Sequence, residues 1–543
     1  MIVPTLYTNP EAKMIRRTVL LSLVSSFASS AQMWPWEVAT AWQQPPGETR
    51  ISPKSTCSSL QALTSYEFSI ISARLIPASK GRPEFCRVSG LIQPEIKFEV
   101  ALPLSWHGRL LMMGNGGYAG EDLDFIGRAM MRDSAVSSGF AFTQTNTGHE
   151  AEGEPLGAFA INPQKLLDYA FRAVHVTAET AKRIAAAYYG IVPKRSYFVG
   201  CSTGGRQGLI AAQRFPADFD GISAGAPVLD FVSTQVNYVP VMRAMAEAPV
   251  SEEKLKLVGK IVYTLCDEKD GLKDGSIDDP RRCGIKPSMH LPRCSSGDAA
   301  DCFTDGQIHT LETLHSDQYI KGQKVFPGWP VGAEAEAPVV IAPGVILEGH
   351  SGWYRWLVRG DQPPDFTQFS EAFFRYMAEP QKRPKLQLSE LDFDRNPPRL
   401  DWIRETLNAT DPDLSAFRDR GGKLLMWFGW ADPALNPLMG IDYYEAASRK
   451  MGASTPDFFR LYMLPGVLHC FGGIGCDSAP RLAALIDWVE RGKAPDSILA
   501  SRIVAGKVIR TRPLCPYPTV AKDKGSGNID EASNFVCAAS DAR

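Results

Sequence analysis

Three residues of this chain stand in the order that nucleophilic acyl chemistry requires. Ser202 lies in Gly200-Cys201-Ser202-Thr203-Gly204-Gly205, whose first five residues fit the pattern G-x-S-x-G. A serine on a tight strand-to-helix turn is forced outward with its hydroxyl exposed, and small neighbours let the backbone make that turn. Such a serine needs a base to take its proton and a carboxylate to orient the base, and after this kind of turn they follow in the order Asp or Glu, then His. His469, in Pro465-Gly466-Val467-Leu468-His469-Cys470, comes just past a strand-like run. The other seven histidines either precede the serine (His107, His149, His175) or fall in an irregular central segment (His290, His309, His315, His350). Asp432, in Phe428-Gly429-Trp430-Ala431-Asp432-Pro433, directly follows the strand-like Leu424 to Phe428. A lone loop histidine is usually structural and an Asp-Pro pair is usually a turn, but together these residues have the right types in the right order. Cys201 precedes the serine and Cys470 follows the histidine, so a bridge between them would pin the two loops together.

The elements that must position these residues alternate. Phe98 to Pro103, Arg109 to Met113, Ala141 to Thr145 and Arg195 to Val199 read as strands. Leu166 to Tyr189 reads as a long helix ended by Gly190, with Leu167, Ala170, Phe171, Val174, Ala178, Ala181, Ala185 and Tyr188 spaced to bury one face. A second helix opens around Gly208, behind the serine. Strand-helix alternation predicts an α/β fold, a doubly wound, mostly parallel sheet covered on both faces. The rhythm stops over residues 228–420, a stretch rich in proline and aromatics that reads as a lid inserted after a sheet strand. It resumes at Lys423 to Gly429, Phe459 to Leu464 and the helix Ala479 to Arg491. The sheet domain is therefore expected over 32–227 and 421–543. The second early strand runs into Gly114-Asn115-Gly116-Gly117, where bare backbone N–H groups can approach a ligand as an oxyanion hole does.

The 543 residues carry a net charge of −2, with 44% hydrophobic and 22% charged residues. That balance gives no footing for nucleic acid or an acidic membrane and points to a small-molecule partner. Met14-Ile15-Arg16-Arg17 followed by the apolar Thr18 to Val24 has the form of a secretory signal with small residues for cleavage at Ser29-Ser30-Ala31. Residues 1–31 are thus expected to be removed, with Met14 as the natural start and a secreted or periplasmic product. The apolar run is too short to span a membrane. Eleven cysteines suit an oxidising compartment. Their local spacing invites the bridges Cys57–Cys86, Cys266–Cys283, Cys294–Cys302 and Cys515–Cys537, although spacing alone proves no connectivity, and Cys476 would be left over.

With Gly200 to Arg206, Gly429-Trp430-Ala431-Asp432 and His469-Cys470 in view, the sequence resembles the tannase and feruloyl esterase family, in which paired cysteines beside the serine and histidine are the distinctive mark. The resemblance implies the α/β-hydrolase fold and a secreted serine esterase acting on aromatic acid esters: galloyl, hydroxycinnamoyl or terephthaloyl, free or carried on plant polysaccharide or polyester fragments. It implies Ser202 as nucleophile, His469 as general base and acid, and Asp432 as the orienting carboxylate. The amides of Thr203 and of Gly116 or Gly117 would form the oxyanion hole, the register in the glycine run being open. It also implies a structural calcium ion in the lid loop Cys266 to Asp278, held by the side chains of Asp267, Asp270 and Asp274 and the carbonyls of Leu272 and Ser276, with Cys266 and Cys283 clamping the ends. Leu435 is expected to wall the pocket. Among the lid aromatics Trp329, Trp353, Tyr354, Trp356, Phe366, Phe369, Phe373, Phe374, Tyr376 and Trp402, most must be core and one or two close over the acyl group, with Arg355, Arg359 or Arg375 available to an acidic substituent. The rival expectation is a non-catalytic hydrolase-fold protein that binds phenolics or polysaccharide.

Overall fold

The computed structural model describes residues 48–342, 345–379, 381–393 and 398–539. The expected signal segment, residues 1–31, lies outside the described residues. Nine strands make the main sheet: β1 (Phe68–Ile76), β2 (Phe85–Ile92), β3 (Ile96–Pro103), β4 (Arg109–Met113), β5 (Ala141–Thr145), β6 (Arg195–Cys201), β7 (Gly221–Gly225), then β12 (Lys423–Gly429) and β13 (Phe459–Leu464). Their order is β1-β2-β3-β5-β4-β6-β7-β12-β13. The pairs from β5 to β13 are parallel, and β1, β2 and β3 add antiparallel strands at one edge. Strands β4, β5 and β7 are buried along their whole length, as expected for a sheet covered on both faces.

Because the six neighbouring strands run the same way, their carboxyl ends meet along one rim, where open α/β sheets bind ligands. The loops after β4, β6, β12 and β13 carry Gly116, Ser202, Asp432 and His469 respectively. Register brings those ends level: Cys201 pairs with Gly225, Gly225 with Trp427, and Gly429 with Leu464.

Strands β7 and β12 are hydrogen-bonded neighbours although the chain between them runs from Gly225 to Lys423. That excursion holds the helices Phe231–Glu247, Glu252–Cys266, Asp305–His315 and Asp365–Tyr376. It also holds two hairpins, β8 (Gln318–Ile320) with β9 (Gln323–Phe326) and β10 (Glu336–Ala342) with β11 (Val345–Ser351). Its core is aromatic: Tyr238 stacks on Phe366 with centroids 3.9 Å apart, Trp329 lies 5.4 Å from Phe366, and Trp353 is buried beside them. The C-terminal part departs from the expected sheet domain, because β14 (Ile498–Val504), β15 (Lys507–Leu514), β16 (Thr519–Asp523) and β17 (Phe535–Ala539) form two separate hairpins off the main sheet.

The long helix after β5 also departs from its expected phase. Helix Pro163–Leu167 passes into a π-turn at Asp168–Arg172 and continues as Ala173–Tyr189, capped by Gly190 at φ 76°. The wider turn shifts the helix face by one residue, so Leu166 is buried and Leu167, expected inside, is 39% exposed. The same π-turn buries Tyr169 and lets its hydroxyl donate to the carbonyl of Gly117 at 3.1 Å.

Candidate active site

Ser202 sits at φ 64°, ψ −122°, between the end of β6 and the helix Thr203–Arg214. A side chain at positive φ is strained, and the packing here enforces the strain. The helix returns so closely that a Cβ at Gly200 would lie 2.7 Å from the Gly204 carbonyl carbon, and one at Gly205 would lie 2.3 Å from the Gly225 oxygen. Glycines therefore permit the turn, and the turn presents the serine at the helix N-terminus. The helix begins at Thr203, five residues before the opening expected from sequence.

His469 donates from Nδ1 to the carboxylate oxygen Asp432 Oδ2 across 2.9 Å. Asp432 is 1% exposed, and its other oxygen accepts the amides of Ala434 and Leu435, each at 2.9 Å. With one oxygen fixed by two backbone donors, the second is held toward the imidazole, which sets the ring's orientation. The Cys201–Cys470 disulfide joins the residue before Ser202 to the residue after His469, across 269 positions of sequence. Cys57–Cys86, Cys266–Cys283, Cys294–Cys302 and Cys515–Cys537 are also bridged, and Cys476 is a buried thiol that burial pushes up to about 11.

Ser202, Thr203, Gly116, Gly117, Leu435 and His469 all line one cavity of about 360 Å³. Its glycine loop is held from several sides. Asn115 exchanges hydrogen bonds with Gln207 on the serine's helix, its amide donating to Oε1 at 3.0 Å and its Oδ1 accepting from Nε2 at 3.2 Å. The Gly117 carbonyl accepts from the hydroxyls of Thr203 and Tyr169. The two glycines differ in what remains for a ligand. The Gly116 amide donates to Glu121 Oε1 at 3.3 Å, whereas the Gly117 and Thr203 amides have no acceptor among the described residues.

Over this rim the inserted segment supplies the apolar wall. Of the ten lid aromatics considered from sequence, Trp356 and Phe369 reach the cavity. Trp356 meets His469 edge-on with centroids 5.4 Å apart and stacks with Phe369 at 6.3 Å. Of the three arginines, Arg355 lines the cavity, with its Nε 2.5 Å from Asp365 Oδ2. Arg359 pairs with the same carboxylate, and Arg375 pairs with Glu371. Sequence reading missed Phe231, Gln235 and Tyr238, which line the cavity from one helix. Their i, i+4, i+7 spacing was the available signal, but the same spacing describes any buried helix face.

The acidic loop gathers four carboxylates rather than three. Asp267 Oδ1 accepts the amides of Asp274 and Gly275, Asp270 accepts those of Leu272 and Asp278, and Asp274 Oδ1 accepts that of Ser276. Asp278 is the addition: burial, then Asp270 and Asp274, push its carboxyl up to about 8. Burial likewise pushes Asp270 up to about 6. Asp274 also pairs with Arg512, and Arg510 lies 3.8 Å away, both on β15. Among the described residues no three Asp, Glu, His or Cys side chains are arranged to hold a metal.

A serine on a strained turn and an imidazole oriented by a buried carboxylate, on one cavity with unused amides, can carry out acyl transfer. Comparison with known proteins agrees with that layout. Residues 81–538 match the family described as tannase and feruloyl esterase. A mono(2-hydroxyethyl) terephthalate hydrolase of Piscinibacter sakaiensis is 32% identical over 84% of this chain and 85% of its own. A probable feruloyl esterase B-1 of Aspergillus flavus is 29% identical, covering 84% and 86%. The crystal structure of feruloyl esterase B from Aspergillus oryzae superposes with a TM-score of 0.75 at 25% identity, covering 89% of this chain and 99% of that one. A family match running from β2 to the last hairpin, shared by relatives along nearly their whole length, leaves one conclusion: this chain belongs to the tannase and feruloyl esterase family.

Proposed function

We propose that the protein is a secreted serine carboxylesterase that hydrolyses esters of aromatic acids through an acyl-enzyme. The observation that carries this reading is the 2.9 Å His469–Asp432 contact tied by the Cys201–Cys470 bridge to a serine on a strained turn in the same cavity. Ser202 Oγ attacks the ester carbonyl while His469 Nε2 takes its proton and Asp432 stabilises the imidazolium. The amides of Thr203 and Gly117 donate to the oxyanion, since Gly116 is turned onto Glu121. His469 returns the proton to the departing alcohol, then activates water to release the acid and free the serine. Trp356, Phe369, Phe231 and Leu435 offer an apolar slot for a flat ring. An aromatic acyl group is also the common chemistry in the names of the relatives, which specify terephthalate and ferulate esters.

We propose calcium for the lid loop on donor chemistry alone, since its carboxylates are turned onto backbone amides and Arg512 and would have to turn inward together to hold the ion. Asp267, Asp270 and Asp274, with the carbonyls of Leu272 and Ser276, supply only hard oxygens, and Asp278 adds a fourth crowded carboxylate. A bound divalent cation would offset that repulsion and brace the loop, with no part in the reaction.

A serine-directed phosphonate tests the assignment. It should label wild type at Ser202 and fail to label Ser202→Ala, and a panel of methyl gallate, methyl ferulate, mono(2-hydroxyethyl) terephthalate and a short aliphatic ester should give an aromatic preference of about tenfold or more in kcat/KM. Labelling that persists in Ser202→Ala would put the nucleophile elsewhere, and no labelling at all would favour a binding protein.

A further inference from the structure

We propose that Tyr118 is a positioning residue that sets the distance between the acyl slot and the oxyanion hole, an inference that rests on the esterase reading above. On that reading the two ends of an aromatic acyl group are held by different parts of the chain. The ring lies against Trp356 and Phe369 of the inserted segment, and the carbonyl oxygen lies at the glycine loop after β4 in the sheet domain. Turnover needs both ends in one geometry, so the slot wall must be fixed against the loop. Tyr118 follows Gly117 in that loop, is buried, and lines the cavity. Its hydroxyl donates to the backbone carbonyl of Phe369 at 3.2 Å.

Hydrogen bonds from Asn115 to Gln207, from Gly116 to Glu121, and from Thr203 and Tyr169 to the Gly117 carbonyl hold the loop to the sheet domain, as does His149 Nε2, 3.0 Å from the Tyr118 carbonyl. The Tyr118 phenol instead crosses to the lid helix Asp365–Tyr376. Burial pushes this phenol well above its usual range, so it stays protonated and able to donate. Its ring is aimed by its neighbours, with Phe231 at 5.3 Å and Phe369 edge-on at 5.1 Å between centroids. The Phe369 ring also lies over Gly117, where an added Cβ would stand 3.6 Å from its Cζ. Gly117, at φ 49°, has no side chain to fix it, so its amide takes its direction from such contacts. One lid residue thus walls the slot, covers the oxyanion glycine and is bonded to the residue after it.

Without the hydroxyl, stacking against Phe369 survives, but the ring is no longer held at a set distance from the Gly117 amide. The loss then falls on turnover rather than on binding. It falls hardest on acyl groups held at both ends, because a short aliphatic chain makes no stack with the slot wall. Acylation and deacylation read the same geometry, since the acyl group and its oxyanion are common to both.

The test measures kcat and KM separately for wild type, Tyr118→Phe and Phe369→Leu on methyl gallate, methyl ferulate, monomethyl terephthalate and methyl butyrate, with Tm as a check on folding. Tyr118→Phe keeps the packed ring and loses only the hydrogen bond. It should lower kcat on the best aromatic ester by about fivefold, the size expected for one such bond, with KM within about twofold and a smaller kcat loss on methyl butyrate. Phe369→Leu keeps the accepting carbonyl and loses the stacking ring, so its main effect on the aromatic ester should be a raised KM. Equal kcat losses on the aromatic and aliphatic esters in Tyr118→Phe, a loss confined to KM, or no loss at all overturns the role of Tyr118 alone. The same split between kcat and KM in both variants overturns it as well. Absence of wild-type turnover on every ester removes the esterase reading and this inference with it.

Discussion

The double variant Cys201→Ala/Cys470→Ala separates two contributions of one bridge. The disulfide closes a loop of 269 residues. The chain-entropy relation gives such a loop about 5–6 kcal/mol of stabilisation through the unfolded state, an upper figure for real bridges. For a chain of ~500 residues the unfolding entropy at the midpoint is about 1 kcal/mol/K, so Tm should fall by roughly 5 °C. The same bridge holds two strained residues, Ser202 at φ 64° and Cys470 at φ 65°, and strain of this kind costs about 1–3 kcal/mol per residue unless the surroundings enforce it. Without the bridge the serine and histidine loops can relax apart, and a displacement near 1 Å costs roughly a hundredfold in turnover. The control is Cys515→Ala/Cys537→Ala, whose bridge spans 22 residues and contributes nothing to the cavity lining. It should lower stability by about 3 kcal/mol and leave kcat unchanged. Calorimetry and steady-state kinetics on methyl ferulate or the best ester of the panel measure both effects. If the first variant keeps wild-type kcat while losing Tm, the bridge stabilises the fold without positioning the catalytic pair, and its proposed role in catalysis is refuted.

Other outcomes follow from the same geometry. Asp432→Asn should leave the backbone cradle of Ala434 and Leu435 in place yet lower kcat by ~10³–10⁴, because the imidazole loses the partner that fixes its tautomer; a loss under tenfold would remove Asp432 from the mechanism. A chelator should lower Tm of the calcium-loaded protein while sparing the His469–Asp432 contact, and an unchanged Tm with metal shown to be removed would end the calcium assignment. Cys476 is buried with its thiol pushed up to about 11, so iodoacetamide at pH 8 should modify it only after unfolding, as peptide mass spectrometry can show. Burial holds His107 down to about 2 and His149 to about 4, against ~6.5 in the unfolded chain. The unfolded state therefore binds more protons below pH 6.5, and each histidine's contribution is lost by about 1.4 kcal/mol per pH unit as the pH falls from 6.5 toward its folded value. Tm should drop between pH 7 and pH 5, and His149→Gln should flatten that slope; equal Tm values across the range would show that these two sites do not govern acid stability.

The sequence by itself determined the parts of this protein whose signal is local. Gly200 to Gly205 dictates a strand-turn-helix because only small residues survive the close return of the helix, so the serine's place was legible from residue types alone. The strands β4, β5, β6, β12 and β13 were legible because short apolar runs between turn residues have few other ways to be buried. Cysteines adjacent to the serine and the histidine mark a junction between two loops far apart in the chain. Only the tertiary structure decided which amide of the Gly116-Gly117 pair stays open, since that depends on Glu121 folding back onto Gly116. Likewise, nothing in the local pattern says that Leu167 faces outward: the π-turn that shifts it is bound up with Tyr169 reaching the Gly117 carbonyl. The choice of Trp356 and Phe369 from ten lid aromatics, and the placing of Gln235 between Phe231 and Tyr238 on the cavity wall, arise from the packing of the inserted segment over the sheet. Local patterns record whether a side chain is buried, because burial repeats with the period of the helix or strand. They carry no record of what it is buried against, because those partners lie tens to hundreds of residues away in the chain.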